Sequence, residues 1–255
     1  VEGASCVRKK EIRICTENET NYWFLSNCSN FGGKYNGRHQ AKASGVAGLL
    51  SHQETIMNSQ VISLYKKRRS QYALGKQLPI SQDDTTQLIK QAMREAPSAF
   101  NAQSSRALIL FGDHSQKFWE LTKEELRKIV PAAGFAATEA KLNSFAAGAG
   151  TVLYFVDTDV VKGLQEQFAL YADNFPVWAE QSNGMAQFAV WTALADAGVG
   201  ASLQHYNPLV DELVRKHWGV HGNWQLRAQM PFGSNEAPFG EKTFMEDEAR
   251  FKVFA

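Results

Sequence analysis

The stretch Pro97-Ser98-Ala99-Phe100-Asn101-Ala102-Gln103-Ser104-Ser105-Arg106 gathers small hydroxyls and amides into a turn. It then runs into the apolar segment Ala107-Leu108-Ile109-Leu110-Phe111. Short polar side chains on the rim of a buried strand can grip a flat ligand with a polar edge, because each both donates and accepts hydrogen bonds. Ser98, Asn101 and Gln103 are the candidates; the plain alternative is an ordinary turn before a strand. Upstream lies Lys66-Lys67-Arg68-Arg69-Ser70. Arg is planar and bidentate, so Arg68 and Arg69 suit a phosphate or a ring edge, with Ser70 adding a hydroxyl. Such a run more often marks a solvated helix end, and Lys66 and Lys67 are read that way. Downstream, Gly198-Val199-Gly200-Ala201-Ser202-Leu203-Gln204-His205 looks like half a dinucleotide fingerprint. It follows a helix rather than a strand and lacks the third Gly, so a Rossmann site is rejected. It reads better as a tight turn from which backbone N–H groups near Leu203, Gln204 and His205 approach a planar ring, after a helix C-cap.

Other chemistries find little support. His205 titrates near neutrality but reads as a positional residue. His217 and His221 are four apart with no carboxylate at the metalloprotease position, so no zinc site is expected. Cys6, Cys15 and Cys28 are an odd count confined to the start of the chain, without finger spacing. The rest needs no disulfide, which suits a reducing cytoplasm. Glu124 and Glu125 read as a solvated helix face, and neither a nucleophile elbow nor a Walker loop is present. A formal net charge of +1 gives no field to draw in nucleic acid or an acidic membrane. No apolar run reaches the ~20 residues of a membrane-spanning helix.

The elements that must position these residues begin at Met57. Residues 1–56 are rich in Asn, Ser, Gly and Cys without periodicity, and are expected to be a disordered or non-native extension of a domain covering 57–255. A helix through Val61–Tyr65 ends in the basic run. Ser81 N-caps the next, which Pro97 stops. Ala107–Phe111 is a buried strand, and Ser115 opens a helix closed by Pro131. A helix over Phe135–Phe145 is broken by Gly148 and Gly150, and Thr151–Val156 is the second strong strand. Asp159 to about Tyr171 is helical. Pro176 starts a long buried helix, ended by Gly198. Ser202–His205 is a short strand or extended loop, Asn207-Pro208 caps a further helix with Pro at its first position, and Trp224–Met230 is a strand. The alternation in Arg250-Phe251-Lys252-Val253-Phe254 predicts a last strand. Helices alternating with few strands favour an α+β or α/β layer architecture.

Over roughly residues 57–255 these motifs, in this order, resemble the nitroreductase family of flavin mononucleotide (FMN) enzymes. Arg68-Arg69-Ser70 looks like its opening Arg-x-Ser motif, and Pro97–Gln103 like its Pro-Ser-Ser-x-Asn-x-Gln segment. The segments Phe175–Gly184, Ala201–Pro208 and Ala228–Gly233 are similar to the subgroup holding the fungal fatty-acid-repression proteins and bacterial relatives. The resemblance implies an α+β three-layer fold, a central, mostly antiparallel sheet flanked by helices, in a homodimer with two flavins at the interface. It implies that Arg68, Arg69 and Ser70 meet the flavin from one subunit, with Leu203, Gln204 and His205 near N5. Ser98 and Asn101 would reach across from the other, Gln103 would be a further flavin contact, Lys242 would meet the phosphate, and Lys141 the N1/O2 edge. It further implies ping-pong hydride transfer from NADH or NADPH to nitroaromatics or quinones, with no essential protein acid or nucleophile. Many members carry Trp soon after the Gln, where this chain has Ser104-Ser105. Two rival readings are a flavin-binding regulator linked to lipid metabolism, with incidental reductase activity, and a flavin-free interaction protein.

Overall fold

Two serines start the first two helices by the same device. In α1 (Gln60–Lys67) the Ser59 Oγ accepts from the Ile62 N–H at 3.1 Å, and in α2 (Gln82–Glu95) the Ser81 Oγ accepts from the Asp84 N–H at 3.0 Å. Between them lies the two-residue strand β1 (Leu74–Gly75). The computed structural model describes residues 59–255; the expected extension over 1–56 and its cysteines lie outside the described residues. After α2 come β2 (Ser105–Phe111), α3 (Gly112–Ile129), α4 (Phe135–Ala146) and β3 (Gly150–Asp157). Then follow α5 (Thr158–Gln167), α6 (Phe175–Asp196), β4 (Gly200–Ala201), α7 (Asp211–Trp218), β5 (Trp224–Asn235) and the single turn α8 (Asp247–Arg250). Among the described residues no helix is long and apolar enough to cross a membrane.

Four local expectations need correction. α3 begins at Gly112, whose φ of 52° makes the strand-to-helix turn, so Ser115 lies inside the helix and is fully buried. α5 stops at Gln167 because Phe168 leaves helical geometry (φ −127°, ψ 64°), and a 3₁₀ turn over Ala169–Tyr171 follows. Asn207-Pro208 forms a turn ahead of α7 rather than its cap; the Asp211 N–H donates to the Pro208 carbonyl, and buried Val210 holds the entry. The tail forms α8, and Phe251–Phe254 pair with no strand among the described residues.

The sheet order is β1-β5-β3-β2, with β4 also on β5, and every ladder is antiparallel, which resolves the class as α+β. β3 is central and buried along its whole length. Its alternating side chains feed two cores. Val152 and Tyr154 join Ala228, Met230 and Phe232 under α2 and α6. Leu153 and Phe155 join Leu226 under α3, α4 and α7. Three layers result, and α6, covered by α1, α2 and the sheet, is apolar over more than one face.

One polar knot sits inside the second core. Thr151 Oγ1 accepts from Trp119 Nε1 at 2.9 Å and shares a hydrogen bond with Ser115 Oγ at 2.8 Å, all three residues being fully buried. Thr151→Val orphans both partners and is expected to cost about 2 kcal/mol, read as a lowered urea midpoint, whereas Thr151→Ser keeps most of the stability.

Candidate functional site

The basic run at the end of α1 divides by role. Lys67 Nζ donates to the Asp196 carbonyl at 2.8 Å and to Asp196 Oδ1 at 2.9 Å, pinning the end of α1 to the end of α6. It is therefore structural rather than merely solvated. At Arg68 the chain turns extended (φ −69°, ψ 115°). Its guanidinium carbon lies 4.4 Å from the ring centroid of Trp191 on α6. Burial first, and then neighbouring Arg69, pull the Arg68 pKa below its ordinary value. Arg69 donates to the Gly240 carbonyl and lies 5.9 Å from the Phe239 ring, which ties the C-terminal tail to α1. Two residues further, Lys242 has its pKa lowered by burial, then by Arg68, Arg69 and Arg250. Four cations thus share one neighbourhood, and none of them is in an ion pair among the described residues. Like charges gathered without a carboxylate repel until an anion joins them.

Next to this cradle runs an edge of backbone donors. Ser70 bridges Ala201 in parallel, and the Gln71 N–H donates to the Ala201 carbonyl at 2.9 Å. Beyond Ala201 the chain stays extended against β5. The Ser202 N–H reaches the Pro231 carbonyl (3.3 Å), the Gln204 N–H the Gln229 carbonyl (2.7 Å) and the Tyr206 N–H the Gln229 Oε1 (2.7 Å). With a period of two, the N–H groups of Leu203 and His205 face the other way. They have no partner among the described residues. Gln204, buried, has its N–H committed to β5 and its Nε2 to Ser202 Oγ at 3.1 Å. Leu203 and His205, not Gln204, are therefore the available donors. Partial covering lowers the His205 pKa and favours its neutral form.

The turn before β2 lies elsewhere. Ser98 Oγ accepts from the Gln103 N–H at 3.0 Å, and the Ala99 N–H reaches Ser182 Oγ on α6 at 3.4 Å. Asn101 and Gln103 are exposed. Gln204 faces Gln229, which pairs with Leu153, and that with Leu108; the turn precedes Ser105 on β2. Crossing those strands at about 4.8 Å each and running back along β2 at about 3.3 Å per residue separates the two groups by roughly 20 Å. One protomer therefore brings Arg68, Arg69, Ser70, Leu203, Gln204, His205 and Lys242 together and leaves Ser98, Asn101 and Gln103 apart. Lys141, on α4, lies 5.8 Å from the Phe145 ring, which is itself 6.3 Å from that of Tyr72. Burial lowers its pKa.

Four contributors escape sequence reasoning. Trp191 reads as core, yet supports Arg68, and its buried Nε1 has no partner among the described residues. Buried Gln71 donates to the Ala237 carbonyl at 2.7 Å and accepts from the Ala73 N–H at 3.0 Å, fixing the tail. Arg250 reads as part of a strand but joins the cations. Gln229 is fully buried and organises the donor edge with both backbone and side chain. Only its place in the Ala228–Gly233 motif singled it out.

Comparison with known proteins identifies the family of this fold. The Nitroreductase family model matches residues 65–234. A putative nitroreductase of Saccharomyces cerevisiae, HBN1, is 34% identical over 183 residues, covering 71% of this chain and 91% of that protein. The nitroreductase FRM2 of the same yeast is 31% identical over 185 residues, covering 71% and 90%. Among solved structures, nitroreductase CinD from Lactococcus lactis in complex with nicotinic acid is 51% identical with a TM-score of 0.72, covering 77% of this chain and 100% of that one. With its motifs, antiparallel three-layer fold and relatives in agreement, the chain belongs to the nitroreductase family.

Proposed function

We propose that this protein is an FMN-dependent NAD(P)H oxidoreductase that reduces nitroaromatics or quinones as a homodimer. The observation that carries the reading is the cluster of Arg68, Arg69 and Lys242, without an ion pair among the described residues, beside the outward N–H groups of Leu203 and His205. A phosphomonoester brings a charge of about −1.5 to −2, which relieves the repulsion among those cations. A planar ring with a polar edge suits the donors of an extended backbone. FMN carries both groups in one molecule, and when bound it supplies hydride exchange between a nicotinamide and an oxidant.

The chain's own residues then bind and orient. Arg68, Arg69 and Lys242 hold the phosphate, with Ser70 beside them. Leu203 and His205 present N–H groups to the ring, Gln204 locks that strand in place, and Lys141 contributes positive charge to the N1/O2 edge, where reduction adds negative charge. Ser98, Asn101 and Gln103, too far from their own cradle, serve that of a second protomer. No side chain is required as acid or nucleophile. CinD has been solved with 4-nitrophenol at 51% identity and with chloramphenicol at 50%, which supports an aromatic oxidant as substrate here.

The purified protein should be yellow, and Arg68→Ala combined with Lys242→Ala should weaken FMN about 100-fold while leaving riboflavin, which lacks the phosphate, nearly unchanged. Colour retained in that double variant refutes the phosphate assignment. Stopped-flow mixing with NADH or NADPH should bleach the flavin, and a nitroaromatic should restore it; failure of either half-reaction favours a binding regulator.

Titration gives an independent check. Only protonated Lys242 attracts the phosphate, and its pKa is already lowered. FMN affinity should therefore fall as pH rises through that depressed value, earlier than for an ordinary lysine. Lys242→Ala should flatten this alkaline limb, and an unchanged limb in isothermal titration removes Lys242 from the phosphate site.

A further inference from the structure

The turn over Ser98–Gln103 adopts a backbone that its sequence does not favour. Phe100, Asn101 and Gln103 all have left-handed φ, at 56°, 50° and 48°. Asn tolerates that region; Phe and Gln rarely enter it, and no Gly is present to take it up. Inside the turn, the bonds that close it are Asn101 N–H to the Ser98 carbonyl, Ala102 N–H to the Ala99 carbonyl and Gln103 N–H to Ser98 Oγ. They define the turn's shape without accounting for three left-handed residues. A compensating interaction has to come from outside the turn.

Phe100 supplies it. Its ring packs on one side against four others, while the residue as a whole stays 51% exposed. Ring centroids lie 5.0 Å away for Phe168, 5.3 Å for Phe175, 5.9 Å for Trp178 and 6.1 Å for Tyr171. Trp178 is close to parallel with it, at 20°, and Phe175 stands edge-on at 65°. Those four rings come from the end of α5, the 3₁₀ turn and the start of α6, so a single side chain ties the turn to three elements. On the opposite side, the Asn101 side chain has no hydrogen-bond partner among the described residues, and Gln103 uses its amide only for a long 3.4 Å contact to the Asn101 carbonyl. The turn is packed through Phe100 on one side and leaves the exposed Asn101 and Gln103 side chains on its surface.

We propose that Phe100 is a positioning residue: caged by Phe168, Tyr171, Phe175 and Trp178, it holds the turn left-handed so that Asn101 and Gln103 face the polar edge of a flavin bound by a second protomer. The assignment rests on the flavin reading given above. It adds that the geometry of this contact is set by an aromatic side chain that does not itself touch the ligand.

The test compares Phe100→Leu and Phe100→Tyr with the parent, using the full-length protein. Phe100→Leu should speed amide hydrogen exchange at residues 99–103 in the flavin-free state. It should weaken FMN and riboflavin by the same factor, about tenfold, because the phosphate end is untouched. Phe100→Tyr keeps the ring and should restore both properties. Arg68→Ala, by contrast, weakens FMN and spares riboflavin, which separates the two ends of the site. If the parent binds both flavins and Phe100→Leu binds them equally well, this assignment is overturned and the flavin reading stands. If Phe100→Tyr fails as badly as Phe100→Leu, the caged ring is not what matters and the assignment is again overturned. A parent that binds neither flavin overturns both.

Discussion

Buried Gln229 must have every polar group satisfied, and meeting that demand lays out the site. Its backbone exchanges both hydrogen bonds with Gln204, its Oε1 accepts from the Tyr206 N–H at 2.7 Å, and its Nε2 donates to Asn207 Oδ1 at 3.3 Å. A buried amide left unpartnered costs on the order of 1–3 kcal/mol, so the segment over 204–207 has little freedom to shift. Once Gln204 is fixed against β5, strand alternation turns the N–H groups of Leu203 and His205 outward. The same register brings Ala201 to Phe232 and, through Ala201, positions Ser70. The donor edge and the start of the cation cradle therefore follow from one strand, and β5 also delivers the tail that carries Lys242.

The cradle faces the opposite problem, since its charges oppose their own assembly. The groups that hold them are not counter-charges. Trp191 supports Arg68 through its ring face, the Gly240 carbonyl receives Arg69, and buried Gln71 clamps the tail at Ala237. Dipoles and a ring quadrupole fix cations in place without neutralising them. A carboxylate in the same position would stabilise the empty site and compete with an incoming anion. Burial is the main cause of the depressed pKa values of Arg68 and Lys242, and the neighbouring cations depress them further.

Features governed by the nearest few residues were legible in the sequence. Ser81 caps α2, Pro97 follows its end and Gly198 (φ 80°) ends α6. Each acts through local dihedral preference or an adjacent N–H. The misreadings share a different origin. Ser115 has the chemistry of a cap but is drawn into the core by Thr151 and Trp119, and Pro208 has the chemistry of a first helical residue but is displaced when Val210 is buried. Tertiary packing overrules the local signal in both. The site divides the same way. Arg68, Arg69 and Ser70 announce themselves by type and spacing, whereas Trp191 and Gln71 matter only through contacts made across more than a hundred residues of chain, and Arg250 through its nearness to Lys242.

The roughly 20 Å between the turn and the donor edge at Gln204 bears on assembly. An exposed polar turn and a donor edge this far apart on one protomer do not meet around the same flat ring. The surface offers a way to bring them together. Val61, Ile62 and Tyr65 on α1, and Met185 and Phe188 on α6, leave apolar side chains exposed, with the Tyr65 and Phe188 rings packed 5.1 Å apart. An exposed apolar patch on two adjoining helices is costly in water and is what a stable interface covers. α6 runs from the caged turn at its start to Trp191 and the cradle near its end. Two copies packed antiparallel along this helix would set the turn of each against the cradle of the other. The apolar stripe, the separated half-sites and the length of α6 therefore all favour the homodimer proposed above, in which neither protomer completes a site alone.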